Sequence, residues 1–299
     1  MNPETKSKEE IFQQTILINI KRKSLYVDQV QMWKGVPLFS WIDINPTELC
    51  NRKCVFCPRV DPAVYPNQNL HMPVALAQKI ADELRTYQYK GGVIFSGFGE
   101  PLLHNNFLKL VSTFGRDIHT ELVTNGDRLT VPLIRELYAA GMGVVLVSMY
   151  DGPQQIGHFR KMFQEAKARE DQYVLRDRWY DMKKDFGLKL TNRAGMVTTG
   201  HQREVDVKRP CFYTHYSLQV DWNGEVLLCV QDWNKKVKFG TVVDQSLFEI
   251  WTSARFSEYR RNLGRGSRCL TPCNGCNVNG TLHGKKHAQI WNDLYKTIP

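Results

Sequence analysis

Short apolar runs alternate with longer, helix-periodic segments between residue 40 and about residue 190. The short runs predict buried strands, and an apolar residue every three or four positions predicts helices that pack on a sheet. Strands and helices in alternation favour a parallel sheet covered by helices. The predicted strands are 41–45, 92–96, 120–124, 144–148 and 188–190, and the predicted helices are 73–88, 106–114, 132–140 and 157–169.

The pattern changes before residue 40 and again near residue 205. The last part contains Asp-Trp-Asn-Gly at 221–224 between two alternating stretches, which is typical of a hairpin. The elements predicted there and in the first part are helices 9–21 and 247–263 and strands 216–220 and 225–228. We therefore predict an N-terminal extension over 1–40, an α/β unit over 41–205 and a small α+β domain over 206–299.

Composition is that of an ordinary globular protein, with 42% hydrophobic and 23% charged residues in a chain of 299. No apolar run reaches the length of about 18 residues that a membrane helix needs. The first residues lack the apolar core of a signal peptide. We expect a cytoplasmic protein without a membrane partner. Thiols stay reduced in that compartment, so the eight cysteines are expected to be metal ligands rather than disulfides.

The formal net charge of +10 raises the question of nucleic-acid binding. The basic residues are scattered, with small clusters at 21–23, 235–236 and 285–286, and no RNA-binding signature is found. We therefore expect no nucleic-acid partner and interpret most of the charge as a solvated surface. An anionic substrate, or an acidic electron donor such as flavodoxin, is the alternative reason for the charge.

Three cysteines, Cys50, Cys54 and Cys57, follow the first predicted strand with C-x3-C-x2-C spacing. Three thiolates on a loop can bind three irons of a cubane cluster and leave the fourth iron without a protein ligand. A four-cysteine [4Fe–4S] cluster has no such open position. Zinc usually takes four ligands in paired spacings, and no fourth Cys or His lies nearby in the sequence. The run predicts a [4Fe–4S] cluster with an open iron.

This spacing, with the aromatic Phe56 directly before the third cysteine, resembles the radical S-adenosylmethionine (SAM) superfamily. The resemblance implies that the unique iron binds the amino and carboxylate groups of SAM. One-electron reduction then yields methionine and a 5′-deoxyadenosyl radical, which is chemistry of the cofactor. It also implies a partial (β/α)6 TIM-like barrel and an electron donor of the flavodoxin or ferredoxin type.

Polar and glycine-rich residues follow the next predicted strands, where the chemistry of parallel sheets collects. Residues 97–101 (Gly-Phe-Gly-Glu-Pro) look like the superfamily's GGE motif, which holds the amino group of SAM, although Phe98 replaces its first glycine. An ordinary strand-to-helix turn is the alternative. Asn125 and Ser148 end the next two strands and are expected to reach the ribose or carboxylate of SAM. The predicted SAM-binding residues are Phe56, Gly97, Phe98, Gly99, Glu100, Asn125 and Ser148.

Arg193 follows the predicted strand 188–190, within Asn192-Arg-Ala-Gly195. A guanidinium is a permanently charged donor with fixed geometry, and this one is expected at the mouth of the barrel. Three roles are open: orienting a substrate hydroxyl, binding the SAM carboxylate, or forming a structural ion pair.

The C-terminal domain contains five further cysteines, Cys211, Cys229, Cys269, Cys273 and Cys276. The last three repeat the C-x3-C-x2-C spacing, but Cys211 and Cys229 can complete a cage of four. The pattern resembles the twitch domain, a half-size SPASM module with one auxiliary [4Fe–4S] cluster. Its ligands would be Cys211, Cys229, Cys273 and Cys276. Cys269 would be the spare thiol unless it replaces Cys273, and a structural zinc is the competing occupant.

The chain resembles the radical SAM 2-deoxy-scyllo-inosamine dehydrogenases of butirosin biosynthesis from about Ile42 to Asn277. The likeness includes Asn192-Arg193 before Gly195 and the four-cysteine spacing. It implies oxidation of a secondary alcohol on a cyclitol, aminocyclitol or sugar to a ketone. The auxiliary cluster would take the second electron, and Arg193 would orient the substrate. Residues 169–187 and Val230 depart from the family pattern, which leaves the substrate open.

Other classes remain in view. A radical SAM peptide-modifying enzyme that forms thioether or C–C links also uses SPASM-type clusters, but it usually has a larger N-terminal recognition domain than residues 1–40 provide. A sugar-modifying dehydratase or epimerase is a second alternative. A non-enzymatic iron–sulfur scaffold or electron carrier is a third.

Overall fold

The computed structural model describes residues 8–179, 190–200 and 202–297. Long helices and short strands alternate through the first half of the chain, as the hydrophobic pattern predicts. The described helices are α1 (Lys8–Val27), α2 (Val74–Thr86), α3 (Phe107–Phe114), α4 (Val131–Ala139), α5 (Gln154–Glu165), α6 (Tyr213–Tyr216), α7 (Leu247–Thr252), α8 (Ala254–Gly264) and α9 (Lys285–Thr297). The described strands are β1 (Met32–Trp33), β2 (Val36–Pro37), β3 (Trp41–Ile44), β4 (Gly92–Phe95), β5 (His119–Thr124), β6 (Val144–Met149), β7 (Tyr173–Asp177), β8 (Ser217–Val220), β9 (Glu225–Leu227) and β10 (Lys238–Thr241).

One sheet of eight strands runs through the molecule in the order β10-β9-β8-β3-β4-β5-β6-β7. Strands β3 to β7 are parallel neighbours, and β8 joins the free side of β3 in parallel. The hairpin β8-β9-β10 then extends the sheet in antiparallel fashion. The predicted α/β class is confirmed. The predicted boundary near residue 205 stays a prediction, and the units on its two sides share this sheet.

The two faces of the sheet bury different side chains, because alternate strand residues point to opposite faces. Ile42, Val93 and Leu122 belong to the main apolar core with Leu76 and Ile80 of α2. The opposite face also buries polar groups, including Asp43, Glu121 and Ser148. Buried polar groups need partners, so this second face is where chemistry or ion pairing is expected.

Helix α1 packs against that polar face. Arg22 forms an ion pair with the buried Glu121, and the Lys23 ammonium lies 4.6 Å from the centre of the Trp41 ring. Val27, at the end of the helix, packs in a small core with Trp41. The predicted helix 9–21 is therefore confirmed but extends to Val27, and this part of the extension belongs to the body of the α/β unit.

Several element predictions need correction. The single helix expected over 247–263 is two helices, because Ser253 has extended backbone (ψ 151°) and its hydroxyl caps Phe256 N instead. The stretch 169–187, which departs from the family pattern and for which no strand was predicted, contains strand β7, whose pairing with β6 lies within the described residues. The strand expected at 188–190 lies outside the described residues except for Leu190, which forms one parallel bridge with Gln202.

Helix α9 was not predicted, and its apolar face buries Ala288 and Trp291. No helix in the described part of the chain is both long and apolar enough to cross a membrane.

Candidate active site

The loop after β3 carries Cys50, Cys54 and Cys57, and none of the three is in a disulfide. The loop is folded by a hydrogen bond from Cys50 N to Asn67 Oδ1 (2.8 Å) and one from Cys57 N to Cys54 O (2.9 Å). Burial raises the pKa of Cys54 to about 12, and the neighbouring Cys57 and Cys50 add to the rise. Three thiolates this close repel one another, and bound metal is what stabilises their ionised form. The donor set therefore fits an iron–sulfur cluster.

Arg52, inside the cysteine loop, fastens that loop to the ends of two strands. Its guanidinium donates to both carboxylate oxygens of Asp127 (2.7 and 2.5 Å), beyond β5. It also donates to both oxygens of Asp151 (2.7 Å each), beyond β6. Hydrogen bonds from Arg52 lower the pKa of Asp151. Two bidentate pairs on one guanidinium fix the orientation of the loop as well as its position.

The 97–101 loop lies directly against the segment that leads into the cysteine loop. A Cβ at Gly99 would stand 2.1 Å from Thr47 O, so only glycine allows this approach. Gly97 has a φ of +124°, which also favours glycine. Phe98 is buried, with its ring centre 5.0 Å from that of Trp233. The replacement of the motif's first glycine by Phe98 thus supplies an aromatic contact with the C-terminal domain.

The side chains of Glu100 and Asn125 form hydrogen bonds with other residues of the chain. The Glu100 carboxylate accepts hydrogen bonds from Leu102 N (3.1 Å), Thr124 Oγ1 (2.7 Å) and Asn125 N (2.7 Å). Burial raises the pKa of Glu100 to about 7. The Asn125 side chain donates to Asn51 Oδ1 (2.8 Å) in the cysteine loop. These contacts connect three loops at the mouth, and the assignment of both residues to SAM stays a prediction.

Phe56 and Ser148 both lie close to Tyr150. The rings of Phe56 and Tyr150 are 5.5 Å apart. Ser148 is buried, and its hydroxyl accepts from Arg176 Nη2 at 2.7 Å. The structure thus brings both predicted residues to the carboxyl end of β6, with an arginine that the sequence analysis did not assign to the site.

A buried polar network joins the cysteine loop to the C-terminal domain. Glu48 accepts from Arg59 Nη2 (3.0 Å) and Tyr65 OH (2.9 Å) and from Lys235 Nζ (2.5 Å). Lys235 also donates to Asp221 Oδ2 at 2.5 Å. The network contains two carboxylates and two cationic side chains, so its charges balance. Each charged group also has a hydrogen-bond partner within the network. Sequence reasoning missed it, since its members are spread over three loops.

Arg193 stands between the two groups of cysteines. Burial raises the pKa of Cys57 and of Cys276, and the charge of Arg193 opposes the rise at both thiols. Its guanidinium carbon lies 6.0 Å from the centre of the Trp233 ring. Its Nε is buried and has no hydrogen-bond partner among the described residues. The residue has a φ of +49°, a conformation uncommon outside glycine.

Cys211, Cys229, Cys273 and Cys276 line one cavity in the C-terminal domain. Burial raises the pKa of Cys229 well above its usual value, and the neighbouring Cys273, Cys276 and Cys211 add to it. Within the described residues, no three His, Cys, Asp or Glu side chains are close enough to share one metal ion. In a cubane each thiolate binds a separate iron, so wider spacing is compatible with a cluster. The four thiols therefore fit a closed [4Fe–4S] site.

Cys269 lies outside this cavity. Its side chain is exposed, and its Sγ is 3.1 Å from Ser267 Oγ. The neighbouring Arg268 is instead buried beneath the cage, a role that sequence reasoning missed. Its guanidinium donates to five backbone carbonyls, those of Arg209, Pro210, Cys276, Val278 and Asn279.

Two family models match successive parts of the chain. The model described as the radical SAM superfamily matches residues 44–174, and SPASM, an iron–sulfur cluster-binding domain, matches residues 211–277. The first match covers the loop of Cys50, Cys54 and Cys57, and the second covers the cavity cysteines, so the chain resembles the radical SAM superfamily in one part and SPASM in the other. Its cofactors are SAM and [4Fe–4S] clusters, as the cysteine spacings predict.

Individual relatives narrow the comparison. The chain is 27% identical over 245 residues to the S-adenosyl-L-methionine-dependent 2-deoxy-scyllo-inosamine dehydrogenase of Niallia circulans, covering 80% of this chain and 93% of that protein. Among solved structures, BtrN in complex with AdoMet and 2-DOIA matches with a TM-score of 0.70 at 24% identity, over 85% of this chain and 98% of that one. Streptococcus suis SuiB bound to precursor peptide SuiA matches with a TM-score of 0.51 at 12% identity, over 88% and 74%.

The predicted family, fold and enzyme class are confirmed by these matches. The protein is a radical SAM enzyme, and its likeness to a dehydrogenase assigns it to the oxidoreductases. The structural matches lie below 25% identity and establish the fold alone. These matches do not test the roles of individual site residues, which stay predictions.

Proposed function

We propose that this enzyme oxidises a secondary alcohol of a small cyclitol, aminocyclitol or sugar to a ketone. The relative from Niallia circulans, a dehydrogenase of an aminocyclitol, supports this reaction type. The observation that carries the proposal is the position of Arg193. Its guanidinium carbon lies 6.0 Å from the Trp233 ring centre, and the adjacent Asn192 donates to Gly275 O, beside Cys276, at 2.7 Å. The charge of Arg193 opposes the rise in the pKa of both Cys57 and Cys276. An alcohol bound beside Arg193 would stand between the two groups of cysteines.

In this proposal Cys50, Cys54 and Cys57 hold the cluster that binds SAM, and Cys211, Cys229, Cys273 and Cys276 hold an auxiliary [4Fe–4S] cluster. When bound and reduced by one electron, SAM and the two clusters would supply hydrogen-atom removal from the carbinol carbon and an acceptor for one electron, with methionine and 5′-deoxyadenosine as the products of SAM. The hydroxyl proton leaves as the ketone forms, so electrons and protons balance with one SAM per product.

The chain's own residues position the reactants. Arg52 holds the cysteine loop against the ends of β5 and β6 through Asp127 and Asp151. Gly99 lets the 97–101 loop approach that cysteine loop. Arg193 offers a planar donor with one unpartnered nitrogen to a substrate oxygen. The contact between Phe98 and Trp233, both buried, makes this side of the region apolar.

Two further parts of the proposal concern surroundings rather than chemistry. A flavodoxin- or ferredoxin-type protein supplies the reducing electron, and the net charge of +10 suits an acidic donor. A cytoplasmic setting, where thiols stay reduced, suits free cysteines that serve as ligands.

Deuterium transfer and a matched pair of cysteine variants test the reaction. With substrate deuterated at the carbinol carbon, deuterium is expected in 5′-deoxyadenosine, and no nicotinamide is needed. Cys229→Ala is expected to keep SAM cleavage but to lose ketone, because the electron acceptor is missing. Cys269→Ala, at the exposed thiol, is the control and keeps both. A redox-neutral rearranged product, or undiminished ketone from the Cys229 variant, contradicts the proposal.

A further inference from the structure

Two arginines at the carboxyl end of β7 face the site from a side that the reaction above does not use. Arg176 donates from Nη2 to the buried Ser148 hydroxyl at 2.7 Å, and Arg178 donates from Nη1 to the Asp177 carbonyl at 2.8 Å. Both side chains are half-buried. The backbone of Arg178 is fixed to the end of β6 by a hydrogen bond from its nitrogen to Met149 O (2.8 Å).

Within the described part of the chain, few negative charges compensate the positive charge of this pair. Among the described residues, neither guanidinium forms an ion pair with a carboxylate, and Arg176 Nε is buried without a hydrogen-bond partner. Burial and, to a smaller extent, the charge of Arg178 lower the pKa of Arg176 to about 9. Burial also lowers the pKa of Arg178; Tyr150 and Asp177 oppose that effect, and Arg193 adds to it.

The pair lies beside the reacting region. Tyr150, whose ring packs against Phe56 of the cysteine loop, is the electrostatic neighbour of Cys54 as well as of Arg176 and Arg178. Arg178 is in turn the neighbour of Arg193, which stands between the cysteine groups. A molecule seated beside Arg193 would therefore meet these two guanidinium groups at its other end.

We propose that Arg176 and Arg178 bind an oxyanion, a phosphate or a carboxylate, carried by the polyol substrate. Guanidinium groups donate in a planar fork that matches the oxygens of both anions. Half-buried like charges repel in low dielectric, and an anion between them would turn this repulsion into attraction. The substrate class would then be an anionic polyol. The inference rests on the proposed function in one respect: the molecule that carries the anion is taken to be the substrate of that reaction.

The carboxylate of SAM is the competing anion, because Ser148 was predicted to bind SAM. Arg176 and Arg178 together offer more donors than the single contact to Ser148 uses, so donors remain for a second anion even if Ser148 binds SAM. Binding experiments distinguish the two anions directly, since each is added separately.

The test is titration calorimetry on the enzyme with both clusters reconstituted. The titrants are SAM alone and then, at saturating SAM, myo-inositol, myo-inositol 1-phosphate and glucuronate. The variants are Arg176→Gln and Arg178→Gln, and Arg160→Gln, on the exposed surface of α5, is the matched control. Iron content and thermal midpoint verify that each variant is folded, and Arg178→Lys tests partial rescue.

The wild type is expected to bind at least one anionic titrant more tightly than myo-inositol. Each glutamine variant should weaken that titrant about tenfold or more while leaving SAM and myo-inositol unchanged, since a charge-assisted hydrogen bond is lost. Preference for myo-inositol 1-phosphate or for glucuronate identifies the anion as phosphate or carboxylate. Arg160→Gln should match the wild type.

Three results would overturn the inference: weaker SAM binding in the glutamine variants with no change for the anionic titrants, equal binding of charged and uncharged polyols, or no binding of either anion. Because calorimetry measures binding, its result does not depend on whether the enzyme forms the ketone. Ketone formation without anion selectivity removes only this inference, and anion selectivity without ketone removes only the proposed function.

Discussion

Asn192 and Asn277 hold each other through a reciprocal pair of hydrogen bonds. Asn192 N donates to Asn277 Oδ1 at 2.8 Å, and Asn277 N donates to Asn192 Oδ1 at 3.2 Å. The Asn192 side chain also donates to Gly275 O at 2.7 Å. Both residues are buried, so the loop that carries Arg193 is fastened to the segment that carries Cys273 and Cys276. The position of Arg193 between the two cysteine groups follows from this pair.

Asn192→Ala is therefore expected to move Arg193 while leaving the cysteines in place. The change removes two side-chain hydrogen bonds and leaves the Asn277 N donor and the Gly275 O acceptor without these partners, which should lower the free energy of unfolding by about 2 kcal/mol. Ketone formation should fall more than SAM cleavage. Chemical denaturation and paired product assays measure both effects.

Asn274→Ala is the matched control, because Asn274 lies in the same segment with an exposed side chain. It should behave as the wild type in both assays. Equal losses of ketone and 5′-deoxyadenosine in Asn192→Ala would contradict a positioning role for this pair.

Arg52 gives a second prediction, which concerns assembly of the SAM cluster. Arg52→Ala breaks four hydrogen bonds to Asp127 and Asp151 and frees the cysteine loop from β5 and β6. These carboxylates are partly exposed, so global stability should change by only about 1 kcal/mol. The loss should appear instead in SAM cleavage and in slower reconstitution of the first cluster.

Lys53→Ala is the control for that variant, since Lys53 is an exposed neighbouring cation. If Arg52→Ala assembled and cleaved SAM as well as Lys53→Ala does, the clamp would have no role in holding the cluster loop.

A third prediction concerns the auxiliary cage. Two [4Fe–4S] clusters correspond to about eight irons per chain. Single alanine variants of the four cavity cysteines, Cys211, Cys229, Cys273 and Cys276, should each fall to about four irons, because a cubane that loses a thiolate is destabilised. Cys269→Ala should keep about eight. Zinc in place of the missing iron would show that the cage holds a structural zinc, and a fall to about four irons in Cys269→Ala would replace Cys273 by Cys269 as ligand.

The parts of the fold that follow from local patterns were predictable from the sequence. The strands β3 to β6 and helices α2 to α4 have the periodicities expected of buried strands and amphipathic helices, and they appear within a few residues of the predicted ranges. The cysteine spacings were equally informative, because cluster ligands must be close in space and here are close in sequence. Strand β7 was missed because its Arg176 and Asp177 interrupt the apolar pattern, and both lie near the site.

The contacts that position the site were not predictable. The hydrogen bonds of Asn192 with Asn277 and of Arg52 with Asp151 join residues far apart in the chain, and no periodicity marks them. The parallel pairing of β8 with β3 was hidden for the same reason. Glu100 shows the same limit in another form: its motif was recognised from the sequence, but the three donors to its carboxylate become visible only in the folded chain.

Arg268 supplies the last prediction, because a single buried guanidinium organises the auxiliary cage. It donates to the carbonyls of Arg209 and Pro210, just before Cys211, and to those of Cys276, Val278 and Asn279. Burial raises the pKa of Cys211 to about 11, and the charge of Arg268 opposes that rise. Arg268 therefore holds together the segments that carry Cys211 and Cys276, and its positive charge favours the thiolate form of Cys211.

Arg268→Lys keeps the charge but cannot reach five carbonyls on two segments, since an ammonium is a compact donor without the planar fork. We expect a loss of about 3 kcal/mol or more in the free energy of unfolding, because buried carbonyls lose their partners. Iron content should fall from about eight toward about four per chain, with SAM cleavage retained. Arg265→Lys, at an exposed position three residues earlier, should change neither quantity. If Arg268→Lys retained full iron and stability, the charge alone would suffice and the geometric role would be excluded.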